Sequence, residues 1–184
     1  NLQWTFTTNS TLLDCSSPSL ATNPNLISDP SIAAISISLP SSGLLGSIPA
    51  SLSSLSSLQT LDLSGNNLTG GIPALLGQSP SLAHINLASN QLSGAIPASL
   101  WSLCTSSSSS SKKTNGGSDS ALLRELRLER NEFSGYIPSP PSSVTVCPNL
   151  QAIDLSYNSL SGPIPGFLGS SFAAGLSDLN LRNN

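Results

Sequence analysis

The 184-residue chain is 38% hydrophobic, 4% aromatic and 8% charged, and its formal net charge is −3 at pH 7. Its six Lys and Arg residues form no basic stripe, which argues against nucleic-acid binding. No run of about 18 apolar residues is available to span a bilayer. With so few aromatic rings, the core must consist of medium-sized aliphatic side chains.

The chain begins at Asn1 and contains no Met, which is typical of a piece cut from a larger precursor after removal of a signal peptide. Residues 1–33 precede the repeats described next, and we expect them to form a separate N-terminal segment. This segment contains Asn9-Ser10-Thr11, a triplet that matches an N-glycosylation acceptor. It also contains Cys15, the first of three cysteines.

One pattern recurs from residue 34 to residue 184. Its first complete copy consists of Leu58, Leu61, Leu63, Asn66, Leu68, Gly70, Ile72 and Pro73. The same Asn position returns at Asn90, Asn131, Asn158 and Asn184, the last of these in a partial copy. A weaker opening copy has Ser42 there. We therefore predict about five repeats and a partial sixth.

The spacing of the repeat predicts a solenoid. Alternation within Leu-x-Leu has period two, so the Leu pair points inward from a short strand while the intervening side chain points outward. Stacked strands then form a parallel sheet. The Asn amide lies where the chain turns and can pair with buried backbone groups, and Gly and Ile-Pro shape the following corner. One coil cannot bury its own apolar edge, so the copies must stack.

The unit L-x-x-L-x-L-x-x-N-x-L-x-G-x-I-P, read from Leu58 to Pro73, resembles the plant-type leucine-rich repeats of receptor-kinase ectodomains, receptor-like proteins and polygalacturonase-inhibiting proteins. Residues 4–14 and Cys15 resemble the N-terminal cap of that family, although no second cysteine precedes the repeats. The resemblance implies an extracellular solenoid with a parallel β-sheet on its concave face. Short 3-10 or irregular turns are then expected on the convex face.

An insertion interrupts the repeats between Asn90 and Asn131. The step there is 41 residues instead of 24, so about 17 extra residues lie near positions 105–120, in a Ser-rich stretch. This composition is typical of a flexible loop, which is either a tolerated surface insertion or a partner-specific element.

Two cysteines flank this insertion at the ends of neighbouring coils. Cys104 closes the third coil and Cys147 closes the fourth, so stacking could bring them within disulfide distance. The alternative is a pair of buried free thiols in a reducing compartment. Cys15 has no partner in this scheme.

Two further segments are candidate modification sites. Asn67-Leu68-Thr69 matches a second N-glycosylation triplet. The segment Ser139, Pro140 and Pro141 resembles the O-glycosylated, proline-rich stretches of plant and algal cell-wall proteins. A stiff polyproline turn between coils explains the same residues equally well.

The repeat register also predicts which side chains face outward from the sheet. They are Thr60, Asp62, Ser64, His84, Asn86, Ala88, Glu125, Arg127, Glu129, Ala152, Asp154, Ser156, Asp178, Asn180 and Arg182. His84 is the only histidine, and the register places Glu125 beside it but no nucleophile or metal-ligand set. We therefore predict no catalysis, no cofactor and no metal.

The charged residues of the chain are concentrated in the fourth coil. Alternating Arg and Glu residues there are either self-neutralising surface pairs or part of a binding surface. In the second interpretation Arg127 and Tyr157, flanked by Asp154, anchor a partner on the concave side, with Glu125 and His84 beside them.

Two classes of function follow from the sequence. The first is an extracellular recognition module that binds a protein, peptide or wall glycan on its inner face. The second is a glycosylated structural subunit that assembles with copies of itself or other chains in a cell wall, matrix or surface appendage. The unpaired Cys15 and a final coil without a cap favour the second class, whereas the family resemblance favours the first. We predict the first and keep the second as the alternative.

Overall fold

A computed structural model describes residues 36–104 and 123–184 of the chain. The predicted N-terminal segment 1–33, with Asn9 and Cys15, lies outside the described residues. The predicted insertion near 105–120 lies outside them as well.

The Leu-x-Leu segments of six successive coils form one parallel sheet in the order β1-β3-β5-β7-β9-β11. We number the coils 1 to 6 after these strands, which are β1 (Ser36–Ser38), β3 (Thr60–Asp62), β5 (His84–Asn86), β7 (Glu125–Arg127), β9 (Ala152–Asp154) and β11 (Asp178–Asn180). Their first residues are aligned across the sheet from coil to coil. This arrangement confirms the predicted register.

A second parallel sheet, which the sequence analysis did not predict, follows the turn in each coil. Its order is β10-β8-β6-β4-β2. The strands are β2 (Leu45–Gly46), β4 (Asn67–Gly70), β6 (Gln91–Gly94), β8 (Glu132–Gly135) and β10 (Ser159–Leu160). These segments pair because stacking in register brings the extended residues after each Asn beside their equivalents in the next coil. Each strand ends near a Gly with positive φ, for example Gly70 at 78° and Gly94 at 82°.

The convex face consists of short 3-10 helices, as predicted. They span Ala50–Ser54, Ala74–Gln78, Ala98–Cys104, Gly166–Gly169 and Ser171–Ala173. Four of them start directly after the Pro of an Ile-Pro pair. At three of these, Pro49, Pro73 and Pro165, extended φ and ψ angles precede the helical turn. The convex part of coil 4 contains no 3-10 helix within the described residues.

Aliphatic side chains fill the space between the two faces. The Leu and Ile residues of the strand region in coils 2 to 5 are 0–2% exposed, namely Leu58, Leu61, Leu63, Leu82, Ile85, Leu87, Leu123, Leu126, Leu128, Leu150, Ile153 and Leu155. Truncating such a side chain to Ala typically costs about 2–5 kcal/mol. Leu179 is 39% exposed because β11 has a described neighbour on one side only.

A ladder of asparagine side chains joins each coil to the one before it. In coil 4, Asn131 Oδ1 accepts a hydrogen bond from Leu92 N at 3.0 Å, and its Nδ2 donates to Leu87 O at 2.9 Å and Leu128 O at 3.1 Å. The equivalent amides at Asn66, Asn90, Asn158 and Asn184 make the same contacts. The predicted role of these residues is therefore confirmed. Ser42 takes the Asn position in the opening copy, and its backbone N–H donates to Asn66 Oδ1.

A disulfide joins Cys104 to Cys147, with their Cα atoms 4.7 Å apart. It links the end of a 3-10 helix in coil 3 to the extended convex segment of coil 4. Trp101, one turn earlier, packs edge-on against Phe167 and Phe172, with ring centroids 5.5 and 6.2 Å away. The disulfide and the aromatic cluster together stabilise the convex side at coil 4, where no 3-10 helix is present within the described residues.

The Asn ladder predicts the cost of removing one amide. Asn131→Ala leaves the buried Leu92 N–H unpaired and removes one of the two amide hydrogen bonds to each of the Leu87 and Leu128 carbonyls. We therefore expect the free energy of unfolding to fall by about 1–3 kcal/mol. Denaturant unfolding of protein expressed without glycosylation measures this change. Asn67→Ala removes an exposed amide, and this control should change stability by less than about 0.5 kcal/mol. Equal effects of the two substitutions would show that the ladder is not stabilising.

The disulfide predicts a redox-dependent melting temperature. The double variant Cys104→Ala, Cys147→Ala should lose about 2–4 kcal/mol of stability, because the bond restricts the unfolded chain across a sequence separation of 43 residues. Dithiothreitol should lower the melting temperature of the wild type and leave that of the double variant unchanged. A wild type that is insensitive to dithiothreitol would contradict the prediction.

Candidate functional site

The outward side chains of the concave sheet form a surface that we call the polar grid. It consists of the first and third residue of each strand, which flank a central inward-pointing aliphatic residue. One column contains Ser36, Thr60, His84, Glu125, Ala152 and Asp178, and the other contains Ser38, Asp62, Asn86, Arg127, Asp154 and Asn180. Eleven of these twelve side chains are polar or charged, so the grid is suited to hydrogen bonding.

A shallow depression of about 290 Å³ lies on the grid across coils 2 to 4. Its walls are Thr60, Asp62, His84, Asn86, Glu125 and Arg127, and its floor is Leu61 and Ile85. Glu125 lies beside His84, as the repeat register predicted, and Thr60 is on the other side of His84. The depression therefore brings together two carboxylates, one guanidinium group, one imidazole, one amide and one hydroxyl.

Glu125 is the centre of an ion-pair cluster within this depression. Its Oε1 accepts a hydrogen bond from Arg127 Nε, and its Oε2 lies 3.4 Å from His84 Nδ1. The hydrogen bond from Arg127 lowers the pKa of Glu125, and the same bond raises the pKa of Arg127. All three side chains are 32–43% exposed, so the ion pair contributes little to stability. Only the Nε of Arg127 is used within the described residues, so its two terminal nitrogens can donate to a ligand.

Two aspartates of the grid, Asp62 and Asp154, each form a local turn of the same kind. Asp62 Oδ1 accepts hydrogen bonds from the backbone N–H and the hydroxyl of Ser64, at 3.0 and 2.7 Å. Asp154 makes the same two bonds to Ser156 and also accepts from Asn180 Nδ2 at 2.9 Å. Although burial alone would raise the pKa of Asp154, these bonds lower it. Asp154 is therefore ionised at neutral pH and fixed in orientation.

Tyr157 has ring contacts with arginines other than Arg127. Its ring contacts two guanidinium groups, with Arg130 Cζ 4.7 Å and Arg182 Cζ 5.0 Å from the ring centroid. Tyr157 precedes the ladder residue Asn158 just as Arg130 precedes Asn131, so the two occupy the same repeat position in adjacent coils. This pairing was not predicted from the sequence, although the shared repeat position could have indicated it.

The candidate modification sites that fall within the described residues lie at the surface of the protein. Asn67 and Thr69 of the N-glycosylation triplet are both exposed in β4. Ser139 is exposed, and Pro140 and Pro141 are half-buried in a segment without regular structure. Val144 N donates to Pro141 O at 2.8 Å, which closes a turn there.

Known proteins resemble this chain over most of its length. A family model described as leucine rich repeat matches residues 36–103, and a second of the same description matches residues 149–171. The kinase-like protein TMKL1 of Arabidopsis thaliana is 43% identical over the whole chain, which spans 25% of that protein. The BIR3–SERK2 complex of Arabidopsis thaliana matches with 33% identity and a TM-score of 0.56, over 80% of this chain and 71% of the matched one.

The chain belongs to the plant-type extracellular leucine-rich-repeat family. A further similar structure is the plant peptide hormone receptor RGFR1 in complex with RGF2, with 35% identity and a TM-score of 0.61. That match covers 75% of this chain and 19% of the receptor chain. The leucine-rich-repeat chain thus spans 25% of TMKL1 and 19% of the RGFR1 chain.

Metal-holding side-chain groups and membrane-spanning helices are both absent from the described part of this leucine-rich-repeat chain. Within residues 36–104 and 123–184, no group of three or more His, Cys, Asp or Glu side chains is arranged to hold a metal ion. In the same residues, no helix is long and apolar enough to cross a membrane. The structures that it matches include receptor complexes and isolated ectodomains of plants.

Glu129 differs from the other carboxylates of this leucine-rich-repeat chain. Its Oε2 is buried and has no hydrogen-bond donor within the described residues. Burial raises the pKa of Glu129, and the nearby charge of Asp154 raises it further. When the pKa of a carboxylate is higher in the folded than in the unfolded state, the protein loses stability as pH rises through the folded-state value.

Replacement of Glu129 should therefore stabilise the leucine-rich-repeat fold at neutral pH. We expect Glu129→Gln to melt at a higher temperature than the wild type at pH 7. The difference should shrink toward zero below about pH 3, where the wild-type carboxyl is protonated in both states. Differential scanning calorimetry across this pH range measures the effect, with the exposed Glu132→Gln as control. A stabilisation that does not depend on pH would contradict the burial argument.

Proposed function

We propose that this chain is the extracellular recognition part of a plant receptor-type protein and binds a peptide or protein segment on the polar grid. The observation that carries the proposal is an open sheet face whose polar side chains surround a depression of about 290 Å³. Such a face presents hydrogen-bond donors and acceptors to a ligand, while the aliphatic core beneath it keeps their positions fixed.

The contents of the similar structures support a peptide or protein ligand. The matched receptor RGFR1 is a peptide hormone receptor in complex with RGF2, and BIR3 is in complex with SERK2. RGF2 and SERK2 are the partners of the matched proteins RGFR1 and BIR3. For this chain, the shared solenoid makes the same class of ligand the best-supported proposal.

Two observations support an extracellular location. The Cys104–Cys147 disulfide is typical of oxidising compartments, where such bonds form and persist. The exposed Asn67 and Thr69 leave a glycosylation triplet accessible to modification. We propose that Asn67 carries an N-linked glycan, and that Asn9 and the segment 139–141 are further sites of glycosylation.

A selection experiment tests the proposal. The full chain, secreted from insect cells with its disulfide intact, is immobilised and exposed to a phage-displayed library of random decapeptides. We expect enrichment of peptides that bind the wild type. Failure to enrich any peptide, together with a native mass that rises with concentration, would instead indicate a self-assembling structural subunit.

Arg127 provides a test of where the selected peptides bind. Its terminal nitrogens face outward at the centre of the grid, so Arg127→Ala should weaken a selected peptide about tenfold through loss of one charge-assisted hydrogen bond. The free energy of unfolding should change by less than about 1 kcal/mol, because the ion pair with Glu125 is exposed. Calorimetric titration and thermal melting measure the two quantities. Arg124→Ala, an exposed residue beside the grid on the same coil, should leave the affinity unchanged, and equal effects of both variants would place the peptide elsewhere.

A further inference from the structure

We infer that the polar grid selects an extended peptide with two basic side chains four residues apart, one bound at Asp62 and the other at Asp154. This inference rests on the proposed function, since it names the chemical class of the ligand.

The grid has an excess of negative charge. Its twelve side chains include four carboxylates and one guanidinium group, which is a formal net charge of −3. The guanidinium of Arg127 is bonded to Glu125. Asp62, Asp154 and Asp178 form no salt bridge within the described residues. Of the arginines next to the grid in sequence, Arg124 is exposed beside it, whereas Arg130 and Arg182 contact the ring of Tyr157 beyond the strand ends.

Two of these aspartates are oriented by the fold. The turn contacts with Ser64 and Ser156 use Oδ1 of Asp62 and Asp154, respectively. The second oxygen of Asp62 has no hydrogen bond among the described residues, and that of Asp154 accepts one bond, from Asn180. Both carboxylates can therefore accept a hydrogen bond from an ammonium or guanidinium group without rearrangement.

The solenoid fixes the distance between the two aspartates. They occupy the same column of the grid in coils 2 and 5, three strands apart. With adjacent strands about 4.8 Å apart, the separation is roughly 14 Å. A peptide that crosses the strands in an extended conformation rises about 3.3 Å per residue, so four residues cover this distance. Residues i and i+4 of an extended chain point to the same side and can therefore both reach the sheet.

Arg127 makes the spacing selective. In the same column it lies in coil 4, between the two aspartates. A basic side chain at position i+2 of the ligand would lie about 7 Å from Asp62, between Asn86 and Arg127. No carboxylate of this column is there to pair with it and the guanidinium repels it, whereas a ligand carbonyl could accept a hydrogen bond from Arg127. A Lys pair at i and i+4 is therefore favoured over a pair at i and i+2. A polyanionic wall glycan would encounter the three unpaired carboxylates and is disfavoured.

The experiment uses three phage libraries of decapeptides selected in parallel against the secreted full chain. The first has Lys at positions 3 and 7, the second has Lys at positions 3 and 5, and the third has Glu at positions 3 and 7. All other positions are random but uncharged. We expect the first library to give the largest enrichment, which should decrease as salt is raised from about 50 to about 500 mM.

Conservative variants then test the two aspartates with a peptide from the winning library. Asp62→Asn and Asp154→Asn preserve the turn, because Asn86 and Asn180 occupy the equivalent positions in coils 3 and 6 and accept the same backbone bond. Each substitution should weaken binding about 2- to 5-fold, as expected for one exposed ion pair. Glu132→Gln, an exposed carboxylate of β8 outside the grid, is the matched control and should not change the affinity.

The outcomes separate this inference from the proposed function. Equal enrichment of the Glu and Lys libraries, or affinities unchanged by Asp62→Asn and Asp154→Asn, would overturn the basic-peptide inference and leave peptide recognition standing. No enrichment from these libraries or from the fully random one would overturn both. Enrichment of the first library with loss of affinity in both aspartate variants would establish the inference.

Discussion

The asparagine ladder is the interaction on which the rest of this structure depends. A solenoid coil must turn sharply after each inward-facing Leu-x-Leu strand, and that turn leaves backbone groups without partners in an apolar interior. Each ladder amide pairs with carbonyls of its own coil and of the preceding coil, and with an N–H of the preceding coil. The same side chain therefore closes the turn of its own coil and fixes the position of that coil relative to the preceding one. The register of both sheets follows from this coupling.

The spacing of hydrophobic residues and Asn was sufficient to predict the main sheet, its register and the Cys104–Cys147 pair, because these depend on repeat position alone. Features that depend on contacts outside the repeat were not predictable in the same way. The second sheet requires pairing between segments that carry no hydrophobic alternation. The packing of Trp101 on Phe167 depends on the absence of a helix in coil 4, and the buried oxygen of Glu129 depends on its surroundings in the folded chain.

The residue before each ladder Asn has a left-handed backbone conformation. Gly65 occupies this position in coil 2, but Ser89, Arg130 and Tyr157 adopt it with φ between 54° and 56°. For non-glycine residues this conformation costs on the order of 1 kcal/mol, and it persists where neighbouring contacts over-determine it. The ladder bonds on either side provide that constraint. As a result, the side chains of Arg130 and Tyr157 are brought together beyond the strand ends, where a regular strand would not place them.

Screening by salt determines how such a surface can discriminate between ligands. At physiological ionic strength the Debye length is about 8 Å, shorter than the roughly 14 Å between Asp62 and Asp154. A ligand therefore senses each aspartate as a separate local contact and not as one diffuse negative field. Selectivity then depends on whether the charges of the ligand are separated by the same distance as the two aspartates. That distance is a whole number of strand spacings. Because the ladder holds the coils at fixed intervals, the stability of the fold and the selectivity of the polar grid have the same structural origin.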